Sequence, residues 1–183
     1  MLRTVALIEL AIAWVVWWYP FLFQAPHVQK RPSITVAGPT RIGLLLEVAA
    51  FAIAFAFPAP VQSIVRLVLG MLLTVVAVLL AFTSVRHLGR MFRVHAGLYH
   101  DHELVRTGPY GIVRHPIYAS LFAMLLATAL VWTSPVWIVV AVAIYIAGTE
   151  IRVRCEDGLL AGRFGEQFEN YRRHVPGYIP FVR

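Results

Sequence analysis

In the stretch "LVRTGPYGIVRHPIYASL", Leu104 to Leu121, Arg114 and His115 stand directly before Pro116 and an apolar run. Tyr110 and Tyr118 flank them, and Gly108-Pro109 marks a turn. Charged groups beside hydrocarbon are costly, so their position at this threshold calls for a reason. A second group of chemistry-bearing residues lies in the tail, "EIRVRCEDGLLAGRFGEQFENYRRH", where Arg152 and Glu156 are four apart on one helix face. The plain reading of that pair is a wet ion pair on an interfacial amphipathic helix. Of the 7 histidines, His87, His95, His100, His102 and His115 crowd into one segment. A metal needs ligands at defined spacings. His100-x-His102, with Asp101 and Glu103 beside it, matches none, and the segment reads as a hydrated loop without metal. Two acids, Glu9 and Glu47, lie inside apolar runs, facing one another or a polar groove. Interhelical hydrogen bonding is preferred for them over substrate contact.

The elements that must position these groups are membrane helices. The chain has 183 residues, 60% hydrophobic and 14% charged, against about 25% charge in a soluble domain. Five apolar runs are readable: Thr4 to Phe23, Ile42 to Phe57, Val61 to Val85, Ile117 to Trp132 and Val136 to Thr149. The first has no A-x-A-like cleavage site and is expected to be a retained helix. Pro58-Ala59-Pro60 and Thr133-Ser134-Pro135 separate neighbouring runs as tight reversals. The last two runs are short for a bilayer and are expected to extend at their loop ends. With five spans, all but Arg3 and Arg66 of the 16 lysines and arginines fall on one side. The positive-inside rule makes that side cytoplasmic, so the Arg114 loop and the C-terminal tail share it. The expected fold is an all-α integral membrane protein of a single domain, residues 1–183. Residues 1–85 form three spans, 86–116 a loop, 117–149 a helical hairpin and 150–183 a helical tail. The net charge of +7 is interleaved with apolar runs, which points to membrane lipids and away from nucleic acid. Cys155 alone excludes an internal disulfide.

The residues resemble a family. His102-Glu103-Leu104-Val105, Gly108, Tyr110 and Arg114-His115-Pro116-Ile117-Tyr118 follow the pattern H-x-L-V-x-x-G-x-Y-x-x-x-R-H-P-x-Y of the isoprenylcysteine carboxyl methyltransferases and their phospholipid N-methyltransferase relatives. A second block follows in order: Glu156-Asp157, Leu160, Phe164-Gly165, Tyr171, Val175-Pro176 and Ile179-Pro180. The likeness covers roughly the C-terminal half. It departs in having Glu-Asp for Glu-Glu and Ala119 where glycine is common.

The resemblance implies S-adenosylmethionine as cofactor, with S-adenosylhomocysteine as product, and a lipophilic acceptor entering from the bilayer. A water-borne donor and a lipid-borne acceptor meet at a threshold, which gives the opening stretch its reason. Carried over by position, His95, His102, Glu103, Leu104, Val105, Gly108, Tyr110, His115, Pro116, Ile117, Tyr118 and Glu156 would line the cofactor pocket. The α-helical N-terminus at Pro116 would offer amides to the cofactor's carboxylate. Arg152 would face the acceptor, suited to a carboxylate or phosphate, with Arg114 next in line. An amine acceptor would need a base, His115 or Glu156. The implied activity is carboxylate O-methylation of an isoprenylcysteine-type acceptor. The alternatives are phospholipid N-methylation and thiol S-methylation. Membrane sterol reductases using NADPH share R-H-P-x-Y, but their following Asn, Gly and Glu are missing here; a non-enzymatic scaffold would bind no small molecule. Oligomeric state is not readable.

Overall fold

The structure, a computed structural model, describes residues 1–24, 33–35, 38–61, 63–92, 97–99 and 101–180, with backbone alone at 33–35 and 99. It is an all-α integral membrane protein: helices α1 (Leu2–Tyr19), α2 (Gly38–Ala56), α3 (Ile64–Leu88), α4 (Pro116–Trp132), α5 (Pro135–Phe164) and α6 (Glu166–His174). Pro20–Gln24 continue α1 as a π-helical turn, and four helical segments are long and apolar enough to cross a membrane. The fifth apolar helix, α4, has 17 residues and rises only ~25 Å. It stays short, bounded by Pro116 at its start and the Thr133-Ser134-Pro135 reversal at its end, and most of its length from Pro116 to Val131 is buried. The expected fifth span, Val136 to Thr149, does lengthen at its loop end, running unbroken to Phe164.

Local chemistry sets the helix ends. Pro116 and Pro135 occupy first turns, where a missing N–H costs nothing. Gly165, at φ +52°, ends α5 in a left-handed conformation and lets α6 turn away. Glu166 and Glu169 open α6 and Arg172, Arg173 and His174 close it, as the helix dipole favours.

In packing, α2 lies along α5 and α3 along α4, with α1 against α3 and α4. The two proline reversals meet at one end, where Ala59 N–H donates to Trp132 O (2.8 Å) and Ser134 N–H to Phe57 O (3.1 Å). Arg66 covers the end of α4, donating to Ala129 O (3.2 Å) and Thr133 O (2.6 Å). Glu9 accepts from Thr74 (2.6 Å), an interhelical bond and not a pairing with Glu47. Apolar side chains such as Ile8, Ile12, Leu45, Leu72 and Leu79 remain exposed on α1, α2 and α3, forming a lipid-facing surface.

At the opposite end a ladder foreign to the helix-only expectation appears. Strands β1 (Ser33–Thr35) and β2 (Gly97–Tyr99) pair antiparallel, with Ile34 opposite Leu98. Three residues apiece carry too short a pattern to read, yet the ladder ties the first loop to the third.

Candidate functional site

The tail reaches back and grips the threshold. Arg114 N–H donates to Pro176 O (2.8 Å) and His115 N–H to Gly177 O (2.9 Å). The Arg114 guanidinium adds a bond to Val175 O and another to Asp157 (2.9 Å). Tyr171, from α6, donates to Tyr110 O (2.5 Å), and Phe168, Tyr171 and Tyr178 are buried. These aromatics therefore pack the tail over the loop; Phe181 lies outside the described residues.

Two adjacent acids on α5 hold one imidazole. His115 Nε2 lies 2.9 Å from Asp157 Oδ1, and Nδ1 lies 3.3 Å from Glu156 Oε2. Burial favours the neutral ring, but the two carboxylates outweigh it and raise the His115 pKa to about 9. His115 is thus an imidazolium at neutral pH, donating to both acids. A ring held protonated by two acids is poorly suited to be the base that an amine acceptor would need. Tyr118, one turn into α4, donates to the other oxygen of Glu156. Burial and the Glu156 charge push the Tyr110 phenol well up, so it stays neutral.

Arg152 is placed differently from the wet-pair reading. It is buried, and its Nη1 donates to Glu47 of α2 at 2.5 Å. Glu47, 2% exposed, also accepts from Thr149 (3.0 Å). The guanidinium carbon stands 4.8 Å over the Tyr118 ring. Helices α2 and α5 reach this closeness because Gly43 and Gly148 face each other. A Cβ at either would come within 2.6 Å of the other's carbonyl oxygen.

These groups line one cavity of about 480 Å³. Its charged wall holds His102, Tyr110, Arg114, His115, Tyr118 and Glu156, and Pro116 and Ile117 sit in the same wall. Arg152 and Glu47 line the cavity too, beside an aromatic wall that includes Trp14, Trp17, Trp18, Phe21 and Phe51. Trp17 is fixed by a 2.7 Å bond to Ser120 of α4. Trp14 crosses to α2, with ring centroids 5.3 Å from Phe51 and 5.9 Å from Phe55. The volume suits a small-molecule site with both charged and aromatic walls.

Four expected lining residues fall outside these walls: Glu103, Leu104, Val105 and Gly108. Glu103 is exposed and pairs with exposed Arg90. Gly108 takes φ +59° with its α-carbon against the His87 ring, so its role is the turn itself. His95 lies outside the described residues. Sequence reasoning missed Asp157 as the anchor of Arg114 and His115; its place in the acidic pair was the available signal. It also missed the aromatic wall of α1, which on its own reads as membrane-interface tryptophan.

Comparison with known proteins points to a methyltransferase family. The profile of the phospholipid methyltransferase family matches residues 65–167, from α3 to the start of α6. "Protein-S-isoprenylcysteine O-methyltransferase B" of Arabidopsis thaliana is 31% identical over 121 residues, 66% of this chain and 58% of that protein. "Protein-S-isoprenylcysteine O-methyltransferase" of Schizosaccharomyces pombe is 33% identical over 82 residues, 45% of this chain and 35% of its own length. "Methanethiol S-methyltransferase" of Crocosphaera subtropica is 34% identical over 73 residues, 40% of this chain and 28% of that one. The chain thus spans little more than half, or less, of the relatives it matches.

Proposed function

The chain belongs to the phospholipid methyltransferase family, and from that premise we propose that it is an integral membrane methyltransferase using S-adenosylmethionine on a lipophilic acceptor. The acceptor class that best suits the cavity is an isoprenylcysteine-type carboxylate. One observation carries the reading: a single cavity is lined by charged groups of the loop and α5 and by an aromatic wall from α1 and α2, with a buried guanidinium among them. A zwitterionic donor fits the first, a hydrocarbon tail the second.

The donor end has the groups such a cofactor requires. Glu156 would meet its amino group, the amides at Pro116 and the Arg114–His115 cations its carboxylate, and Tyr110 and Tyr118 its ring systems. Bound there, S-adenosylmethionine would supply a methyl group already activated by its sulfonium, with S-adenosylhomocysteine as product. The protein's own work is alignment and exclusion of water. The tail supports both, clamping the Arg114 and His115 backbone through Pro176 and Gly177. His115 acts as a fixed cation between Glu156 and Asp157, holding Glu156 in place for the donor. Arg152 would orient the acceptor carboxylate, which needs no base. The arginine asymmetry supports a cytoplasmic side for this end and the C-terminal tail.

The test is calorimetry in detergent with S-adenosylhomocysteine, with NADPH as control, then labelled S-adenosylmethionine against prenylcysteines, aminophospholipids and lipophilic thiols. Binding of S-adenosylhomocysteine and labelling of a prenylcysteine is the expected result. Binding of NADPH instead, or of neither by folded protein, refutes the reading.

A further inference from the structure

A guanidinium meant for an acceptor carboxylate already holds one. Arg152 is paired with Glu47 at 2.5 Å, and both line the cavity. The other lining cations are engaged as well: Arg114 with Asp157, and His115 with Asp157 and Glu156. An anionic acceptor therefore competes with a resident carboxylate for the charge it would pair with. The pairs made by Asp157 and Glu156 are on the loop side, locked by shared partners and by the tail. Glu47 comes instead from α2, a helix whose outer face is exposed to lipid. Its carboxylate has one neutral partner besides Arg152, Thr149 at 3.0 Å. The Gly43–Gly148 contact presses the two helices together at this level, so the pair is built into the fold and not a chance approach.

We propose that Glu47 is a specificity-determining residue, an internal stand-in that holds Arg152 until the carboxylate of a lipid acceptor takes its place. This rests on the methyltransferase reading above and adds its acceptor-side selectivity. The pair keeps a buried guanidinium compensated while the cavity awaits an acceptor, since an unpaired buried charge is strongly unfavourable. It also sets a threshold: a neutral nucleophile leaves the pair alone, whereas a carboxylate competes with Glu47. A weak anion is thereby kept out, and a carboxylate bearing a tail that packs against the aromatic wall gains enough to exchange.

The test compares two acceptors of matched chain length, an N-acylated S-prenylcysteine and a lipophilic thiol, as the ratio of their kcat/KM values. A ratio does not depend on how much protein is folded. Glu47→Gln should raise the carboxylate-to-thiol ratio about tenfold or more, because the competing charge is gone. The prenylcysteine should also raise the Tm of Glu47→Gln more than that of the wild type, a readout free of turnover. Adding Arg152→Ala to Glu47→Gln should abolish both gains. Thr149→Val, which loosens Glu47 without removing its charge, should shift the ratio the same way by a smaller factor and serves if Glu47→Gln does not fold. An unchanged or lowered ratio, with no extra thermal shift, overturns the proposal. A wild type that binds no S-adenosylhomocysteine sinks the functional reading instead; the thermal-shift comparison still decides whether Glu47 guards Arg152.

Discussion

Raising the pH from 7 to 10 should loosen the protein at one residue, His115. Its pKa lies at about 9 in the folded chain against 6.5 in the unfolded one, because Asp157 and Glu156 overcome the cost of burial. The group is raised on folding, so its contribution is fully present below about pH 6.5 and is lost as pH rises through about 9. The difference corresponds to about 3 kcal/mol, since each tenfold step in proton affinity is worth about 1.4 kcal/mol. About three quarters of that difference is lost between pH 7 and 10, and for a chain of this size 1 kcal/mol moves Tm by about 2–4 °C, so the expected loss is about 5–10 °C. Tyr171, pushed up to about 12 chiefly by burial, stays protonated in the folded chain while the unfolded phenol begins to ionise near pH 10, which adds only a shallow slope common to the wild type and a His115 variant. The assay is thermal unfolding in detergent from pH 7 to 10, for the wild type and for His115→Gln. The variant should begin lower and show little pH dependence. Parallel slopes in the two proteins would refute the assignment of His115 as a buried imidazolium. A transition centred near pH 6.5 in the wild type would do the same.

Three further outcomes are expected. Glu156→Gln keeps the shape but loses a charge that meets His115 and Tyr118. It should weaken S-adenosylhomocysteine about 10- to 150-fold by calorimetry, the worth of one charge-assisted hydrogen bond. Gly108→Ala forces a side chain into positive φ and onto the His87 ring, and should lower stability by about 1–3 kcal/mol in denaturant or thermal melts. Trp14→Ala removes the bridge to Phe51 and Phe55 in the aromatic wall, and should move the acceptor preference toward longer hydrocarbon tails; an equal loss at every chain length would show that Trp14 does not bound the tail.

What could be read in advance follows from which forces are local. A bilayer dictates the length and polarity of a span, so the five apolar runs announce α1 to α5, and prolines mark their joints. The end of α5 was less legible. Arg152, Arg154 and Glu156 change the polarity of the helix at Thr149 without interrupting its backbone, and only Gly165 stops it. The threshold residues were visible as types, yet their partners were not. Glu47 and Arg152 are 105 positions apart, and their meeting depends on two glycines whose significance is the absence of a side chain. The tail clamp is made through carbonyls of Pro176 and Gly177, and a backbone acceptor leaves no mark in residue identity. Spacing alone pointed Arg152 at Glu156 on its own helix, and tertiary packing brought it a second carboxylate, Glu47 of α2, at 2.5 Å.

The charges also explain how so polar a site is tolerated at the edge of hydrocarbon. Arg114 and His115 carry two positive charges against the two negative charges of Glu156 and Asp157 on the loop side. Arg152 and Glu47 balance one against one nearer the lipid. Each group is thus neutral before any ligand arrives, which limits the penalty of holding ions away from water. The two groups touch through Tyr118, whose ring lies under Arg152 while its hydroxyl donates to Glu156. A change in how Arg152 is paired on the acceptor side therefore bears on the tyrosine that positions Glu156 on the donor side. Neutralising Glu156 would disturb that contact from the other direction. Donor and acceptor ends are joined by one phenol, so binding at either is expected to be felt at the other, through a contact that neither sequence block contains on its own.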